Sequence, residues 1–172
     1  MTDIPDTRVI LRDLNAGRVP YDEIYAAIHA LGHHGAINES KRTVEAFLRH
    51  DDPQLRNIAL NVLTIHWHCL EHRGTCERFA KNDPDPDNRR MGISGIGALL
   101  EGTRDRAVLK LLLEFFHNDA EENHIRHAAY CSILYVLGAP IKEQPLRVRN
   151  FDLEKDINWE RIAEAQKLAI GD

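Results

Sequence analysis

A proline phrase that returns at equal intervals constrains this chain more than any other feature. Pro20, Pro53 and Pro86 are evenly spaced. An arginine follows the last two at the same offset, Arg56 and Arg89. A small residue stands three positions further on, Ala59 and Gly92, with Ala26 in the equivalent place of the first unit. Self-similarity at such a period comes from helical units that bury their apolar faces against one another. A looser fourth unit carries Arg126 and Ala129; its arginine comes later than the interval requires, an insertion of about one helical turn.

The proline phrases are helix starts. In HDDPQLR, Asp52 caps and Pro53 takes the first helical position, where a missing N–H costs nothing. Asp85 and Pro86 repeat the arrangement, and Asn118 or Asp119 is the expected cap of the fourth unit. Helical apolar spacing then follows each arginine: Leu55, Ile58, Val62, Leu63 and His66 in one unit, Ile125, Ala129, Ile133, Val136 and Leu137 in another, with Gly138 as the stop. The third unit interleaves Gly92, Gly95 and Gly97 with its apolar residues, predicting close helix contact or a kink. Partner helices are expected over 41–50, 75–82 and 104–117, the last buried on two sides because LKLLLEFF is too apolar to face water all round. A first pair is expected over 5–16 and 20–31, ending at Leu31-Gly32, and a last helix over about 158–169. No strand pattern is present.

At 172 residues the chain is read as one domain: an N-terminal helix in 1–19, repeats over 20–138, a loop over 139–150 containing Pro140 and Pro145, and a C-terminal cap over 151–172. The net charge of −5 argues against a dedicated nucleic-acid binder and suits a polar or basic protein partner. The charged start MTDIPDTRVILRDL has no signal-peptide pattern, and no apolar run is long enough to span a membrane. Three cysteines without paired spacing read as reduced thiols, so a cytoplasmic location is expected.

A helix pair whose second helix opens with Asp-Pro-x-x-Arg and then a small residue resembles HEAT repeats, and the short unit is similar to the bacterial, lyase-type variety. The motifs are DDPQLRNIALNVL, DPDPDNRRMGISGIGALL and DAEENHIRHAAYCSILYVLG, and the resemblance covers about residues 20–138. Glu23 stands where the first unit would carry its arginine, which marks that unit as a degenerate cap. The resemblance implies an all-α fold: a right-handed α-α superhelix of about four HEAT-like hairpins with a C-terminal capping helix. It also implies that Arg56, Arg89 and Arg126 bond to acidic groups and carbonyls of neighbouring turns.

Two clusters invite a chemical reading. In HWHCLEHRGTC, His68, Cys69, His72 and Cys76 are zinc-ligand types at helical spacing, but no two-loop knuckle is formed and Gly74 interrupts the run. His66 falls on the apolar stripe and is expected in the core, with His68 and His72 solvated or at a groove edge. No metal or other cofactor is expected. His127 and Cys131 share a face, as a nucleophile and its base would, yet no orienting group or oxyanion hole accompanies them. No catalytic residue is assigned. The His-Glu pairs of HEAT-repeat di-iron hydroxylases are absent; only Glu71-His72 occurs, reversed.

In HEAT-like stacks the second helices line a concave face. Aligning the arginines puts Asn57, Arg90 and His127 in one row, Asn61, Ser94 and Cys131 in the next, and Thr64, His68, Leu134 and Tyr135 beyond. Asn57, Asn61, His68, Arg90, Ser94, His127 and Tyr135 are therefore the expected partner-binding residues. The expected function is a non-catalytic scaffold or adaptor that holds a protein or extended segment, with an immunity-type inhibitor of a basic toxin as one form. Two alternatives stay open: a bilin-lyase-like or metal-handling enzyme, and a DNA-repair glycosylase-like protein using Trp67 or Trp159.

Overall fold

The computed structural model describes residues 6–143, 152 and 155–171, the side chain of residue 141 apart. Among these the protein is all-α, with nine α-helices and no strand. No helix of the described residues is long and apolar enough to cross a membrane. The chain divides into two compact units, Met1–His72 and Arg73–Asp172.

The first unit holds α1 (Thr7–Asn15), α2 (Ile24–His34), α3 (Ile37–Ala46) and α4 (Pro53–Asn61), and α4 runs on as a π-helical segment, Val62–His66. Asp52 caps α4 by accepting from the Gln54 N–H, and Pro53 fills the first turn, as the phrase requires. Ile28, Leu31, Val44, Ile58, Leu60 and Leu63 form the core. After Pro20 the chain makes a 3₁₀ turn, Tyr21–Glu23, without a side-chain cap, before α2 begins. Helix α2 does not stop at Leu31-Gly32 but continues to His34. Gly32 serves contact there rather than termination: a Cβ would lie 2.7 Å from Val62 Cγ2, so its absence lets the π-helical segment approach α2.

The second unit holds α5 (Arg73–Asn82), α6 (Pro86–Leu99), α7 (Arg106–His117), α8 (Asn123–Leu137) and α9 (Trp159–Ile170). Asp85 caps α6, with Pro86 in its first turn. Helix α8 starts later than Asn118 and Asp119 would place it, behind Glu122 and with no side-chain cap; Asn118 instead accepts from the Ala120 N–H in the turn before it. Gly138, at φ 70°, ends α8 in the left-handed conformation. Helix α7 buries Leu109, Leu112, Leu113 and Phe116, and contacts both α8 and α9, which accounts for its apolar composition. Tyr130 is buried in α8 and its hydroxyl accepts from the Asn158 N–H at 2.9 Å, fixing the entry to α9. Of the expected loop over 139–150, Ile141–Glu143 form a 3₁₀ turn; residues 144–150, Pro145 among them, lie outside the described residues.

The sequence period reappears as the reach of polar ties. Tyr21 donates to Asp52, 31 residues on, and Lys41 pairs with Glu71, 30 residues on. Arg73 bonds Asp105 across 32 residues, Arg89 bonds Glu121 across 32, and Arg104 reaches the Leu137 carbonyl across 33. The repeated arginines hold turns. Arg56 donates to the carbonyls of His50 and Asp51 at 2.9 and 2.8 Å, and Arg126 donates to the Phe116 carbonyl at 3.1 Å while pairing with Asp119 at 3.1 Å.

The glycines of α6 permit close packing without ending the helix. A Cβ on Gly92 would lie 2.6 Å from the Cys76 carbonyl oxygen and the Ala80 nitrogen of α5, and one on Gly97 would lie 2.7–2.9 Å from Ser132 of α8. Backbone atoms cannot step aside as a flexible side chain can. Gly92→Ala is therefore expected to cost about 1–3 kcal/mol in urea unfolding. Gly74→Ala, in α5 with nothing within 4 Å of its Cβ, should be neutral or stabilise by about 0.5 kcal/mol. Equal effects of the two substitutions would contradict the close-packing account.

Candidate functional site

Helices α4, α6 and α8 are nearly enclosed. Beyond Arg90, α6 leaves only Ser94, Ala98 and Leu99 less than buried; beyond His127, α8 leaves only Cys131 and Tyr135. Along α4 and its π-helical extension, the non-buried positions after Arg56 are Asn57, Asn61, Ile65 and His66. Steps of four residues keep Arg90, Ser94 and Ala98 on one helix face, and likewise His127, Cys131 and Tyr135. Asn57, Asn61, Arg90, Ser94, His127, Cys131 and Tyr135 are thus among the positions that packing leaves part-exposed. Thr64 and Leu134 do not belong to them: both are fully buried, and Thr64 Oγ1 donates back to the Leu60 carbonyl at 2.8 Å. His68 lies past the end of the helix, exposed and at φ 48°, so it does not extend the α4 column.

Helices α6 and α8 pack together, with Ser132 Oγ donating to the Ile93 carbonyl at 2.9 Å. Cys131 Sγ lies 3.3 Å from His127 Nε2. Burial, then the charge of Arg90, hold the His127 imidazole below its ordinary pKa. Burial pushes the Cys131 thiol up to about 12 and raises the Tyr135 phenol. A neutral imidazole beside a neutral thiol is the opposite of the thiolate–imidazolium pair a cysteine nucleophile needs. The strip Arg90, Ser94, His127, Cys131, Tyr135 offers one cation, hydroxyl and imidazole hydrogen-bonding groups and an aromatic edge.

The run 66–76 separates into different environments. Cys69 is buried, with Sγ 3.9 Å from the Trp67 carbonyl, and burial raises its pKa. His72 is not solvated: it is buried, with Nε2 3.1 Å from Glu45 Oε1. Cys76 sits inside α5 with its thiol pushed up to about 12 by burial. Trp67 is buried with its indole N–H donated to the Gly32 carbonyl at 3.1 Å, which removes it as an intercalating wedge; Trp159 is 56% exposed.

His66 is half-buried rather than a core residue, and it meets two histidines that sequence reasoning passed over. His29 and His33 lie four apart on α2 with their Nε2 atoms 3.2 Å from each other. The His66 ring centroid is 4.3 Å from that of His33 and 5.9 Å from that of His29. One nitrogen from each ring falls within 4.8 Å of the other two, the only such group of three potential metal ligands among the described residues. The signal available in sequence was the i,i+4 spacing of His29 and His33; the third ring, His66, stands at the end of the π-helical segment, beyond the reach of any local pattern.

In comparison with known proteins the chain matches no family model, no curated protein and no solved structure.

At pH 8 a thiol with a pKa of about 12 is ionised to the order of 10⁻⁴. A disulfide reagent such as DTNB is therefore expected to label Cys76 and Cys131 slowly in the native protein and all three cysteines after denaturation. Rapid native labelling of Cys131, suppressed by His127→Ala, would instead establish an activated Cys–His pair.

Proposed function

We propose that this protein is a HEAT-like helical-repeat module, built as the right-handed superhelix such repeats form, and that it binds another protein without catalysis. The observation that carries the reading is the strip on α6 and α8. Helices α6 and α8 bury most of their side chains, and beyond their first turns the part-exposed polar positions are Arg90, Ser94, His127, Cys131 and Tyr135 rather than lysines and glutamates. Solvated helix faces collect long charged chains. Contact faces favour arginine, aromatics and small polar groups whose ordering entropy is low. The polar ties that span one sequence period, within each unit, support the repeat assignment, because nearest-neighbour coupling is how repeat proteins are held together. On α4, Asn57 and Asn61 form the corresponding stripe of the first unit.

The chemistry of a partner follows from the strip and the overall charge. A chain of net charge −5 draws basic or polar surfaces by long-range attraction, an immunity-type inhibitor of a basic protein being one such case. Arg90 then supplies the local contact for a carboxylate or carbonyl of the bound chain. Tyr135 supplies apolar area with a polar tip. The cytoplasm is the proposed location, where the three free cysteines would stay reduced.

The test is affinity capture from the native lysate with wild-type protein and three variants of unchanged circular dichroism. Arg90→Glu and Tyr135→Ala are each expected to weaken retention of a stoichiometric partner by about tenfold or more, the effect of a contact residue worth over ~1 kcal/mol. Lys110→Glu, on the exposed side of α7, is expected to change little. Partners retained equally by all four proteins would overturn the strip as the binding face.

A further inference from the structure

We propose that His29, His33 and His66 form a three-imidazole binding site for a divalent transition-metal ion of the zinc type, leaving one coordination position for water or an incoming ligand. The site lies within the first unit and does not depend on the protein-binding strip.

The geometry is close to what coordination demands. A tetrahedral zinc centre with Zn–N bonds of about 2.05 Å sets its nitrogen ligands ~3.3 Å apart. The Nε2 atoms of His29 and His33 are already 3.2 Å apart. His66 has a ring nitrogen within 4.8 Å of both, so a small side-chain rotation closes the third edge. Two of the rings, His29 and His33, are exposed and free to make such an adjustment. Without an ion, two imidazole nitrogens so close must share a proton, one ring donating and the other accepting. A metal replaces that single bond with two.

The backbone is shaped to bring the third ring in. The segment Val62–His66 is π-helical, an irregularity concentrated at functional sites. The Trp67 N–H closes it on the Val62 carbonyl at 3.0 Å, and the Trp67 indole N–H donates to the Gly32 carbonyl at 3.1 Å, inside the helix that carries His29 and His33. Gly32 has no Cβ to strike Val62. The close approach, the indole anchor and the π turn together set His66 against the α2 pair.

The donor set selects the ion. Three imidazoles with no carboxylate or thiolate suit zinc, copper(II) or nickel(II) and exclude calcium and magnesium, which require oxygen ligands. Three protein ligands are also one short of a closed structural zinc site, so the fourth position stays exchangeable.

The experiment is calorimetric titration of chelator-treated, full-length protein with zinc sulfate, with cobalt(II) as the spectroscopic probe. Wild type is expected to bind one zinc ion per chain, to melt at higher temperature when loaded, and to give the intense visible absorption of four-coordinate cobalt. His29→Gln and His33→Gln, at exposed positions that the fold tolerates, should each weaken zinc by about tenfold or more, the least that loss of an inner ligand costs. His68→Gln and His72→Gln should each stay within about threefold of wild type, since neither belongs to the set. No stoichiometric zinc binding by wild type would overturn the site. Undiminished binding by His29→Gln and His33→Gln, or loss on His72→Gln, would do the same by locating the metal elsewhere.

Discussion

The structure depends on an arginine in the opening turns of α4, α6 and α8: Arg56, Arg89 and Arg126, the first two behind a helix-opening proline phrase. It stands near the start of a helix whose other faces are closed by neighbours, and its guanidinium reaches out to the turn that leads into the helix or the one beyond. Arg56 takes two carbonyls of the turn before α4, Arg126 takes the last-turn carbonyl of α7, and Arg89 takes Glu121 in the turn before α8. Helix ends leave carbonyl groups without intrahelical partners, and a planar donor with several N–H groups can satisfy more than one of them. A tie of this kind fixes how one helix enters relative to its predecessor. The apolar burial of α4, α6 and α8 then follows in register.

Close packing and exposure are linked by the same arrangement. Helix α6 carries Gly92 and Gly97 against α5 and α8, although each glycine lowers helix propensity by about 1 kcal/mol relative to alanine. The gain is burial: Met91, Ile93 and Ile96 are enclosed on the same helix. A few positions escape burial, and on α8 two of them are held by a short contact, Cys131 Sγ to His127 Nε2. The first unit uses glycine in a comparable way at Gly32, but there the neighbour is an irregular segment, and the result is a histidine brought to two others.

The sequence was most informative where structure is local. Asp52 and Asp85 as caps, Pro53 and Pro86 in first turns and Gly138 as a stop are all decided within a few residues, and all are present. The columns Asn57–Asn61, Arg90–Ser94 and His127–Cys131–Tyr135 were legible because helical periodicity decides them too. Reading failed where a distant contact decides the outcome. Helix α2 continues through Gly32, whose missing Cβ makes room for Val62 rather than ending the helix. His72 is buried because Glu45, 27 residues back, receives it. His66 left the core because the chain leaves α-helical geometry at Val62, turning that ring toward α2. Periodicity assumes a regular helix, and a π turn shifts every later side chain by a part of a turn.

The most direct measurement is urea unfolding of Arg126→Met, a substitution that keeps side-chain length while removing every donor. The account predicts a loss of about 1.5–3 kcal/mol, the worth of a hydrogen bond from a charged group at a site of low exposure, with an unchanged slope against urea. An unchanged midpoint, with loss of partner capture instead, would contradict it by showing that the repeated arginine serves a ligand rather than the fold.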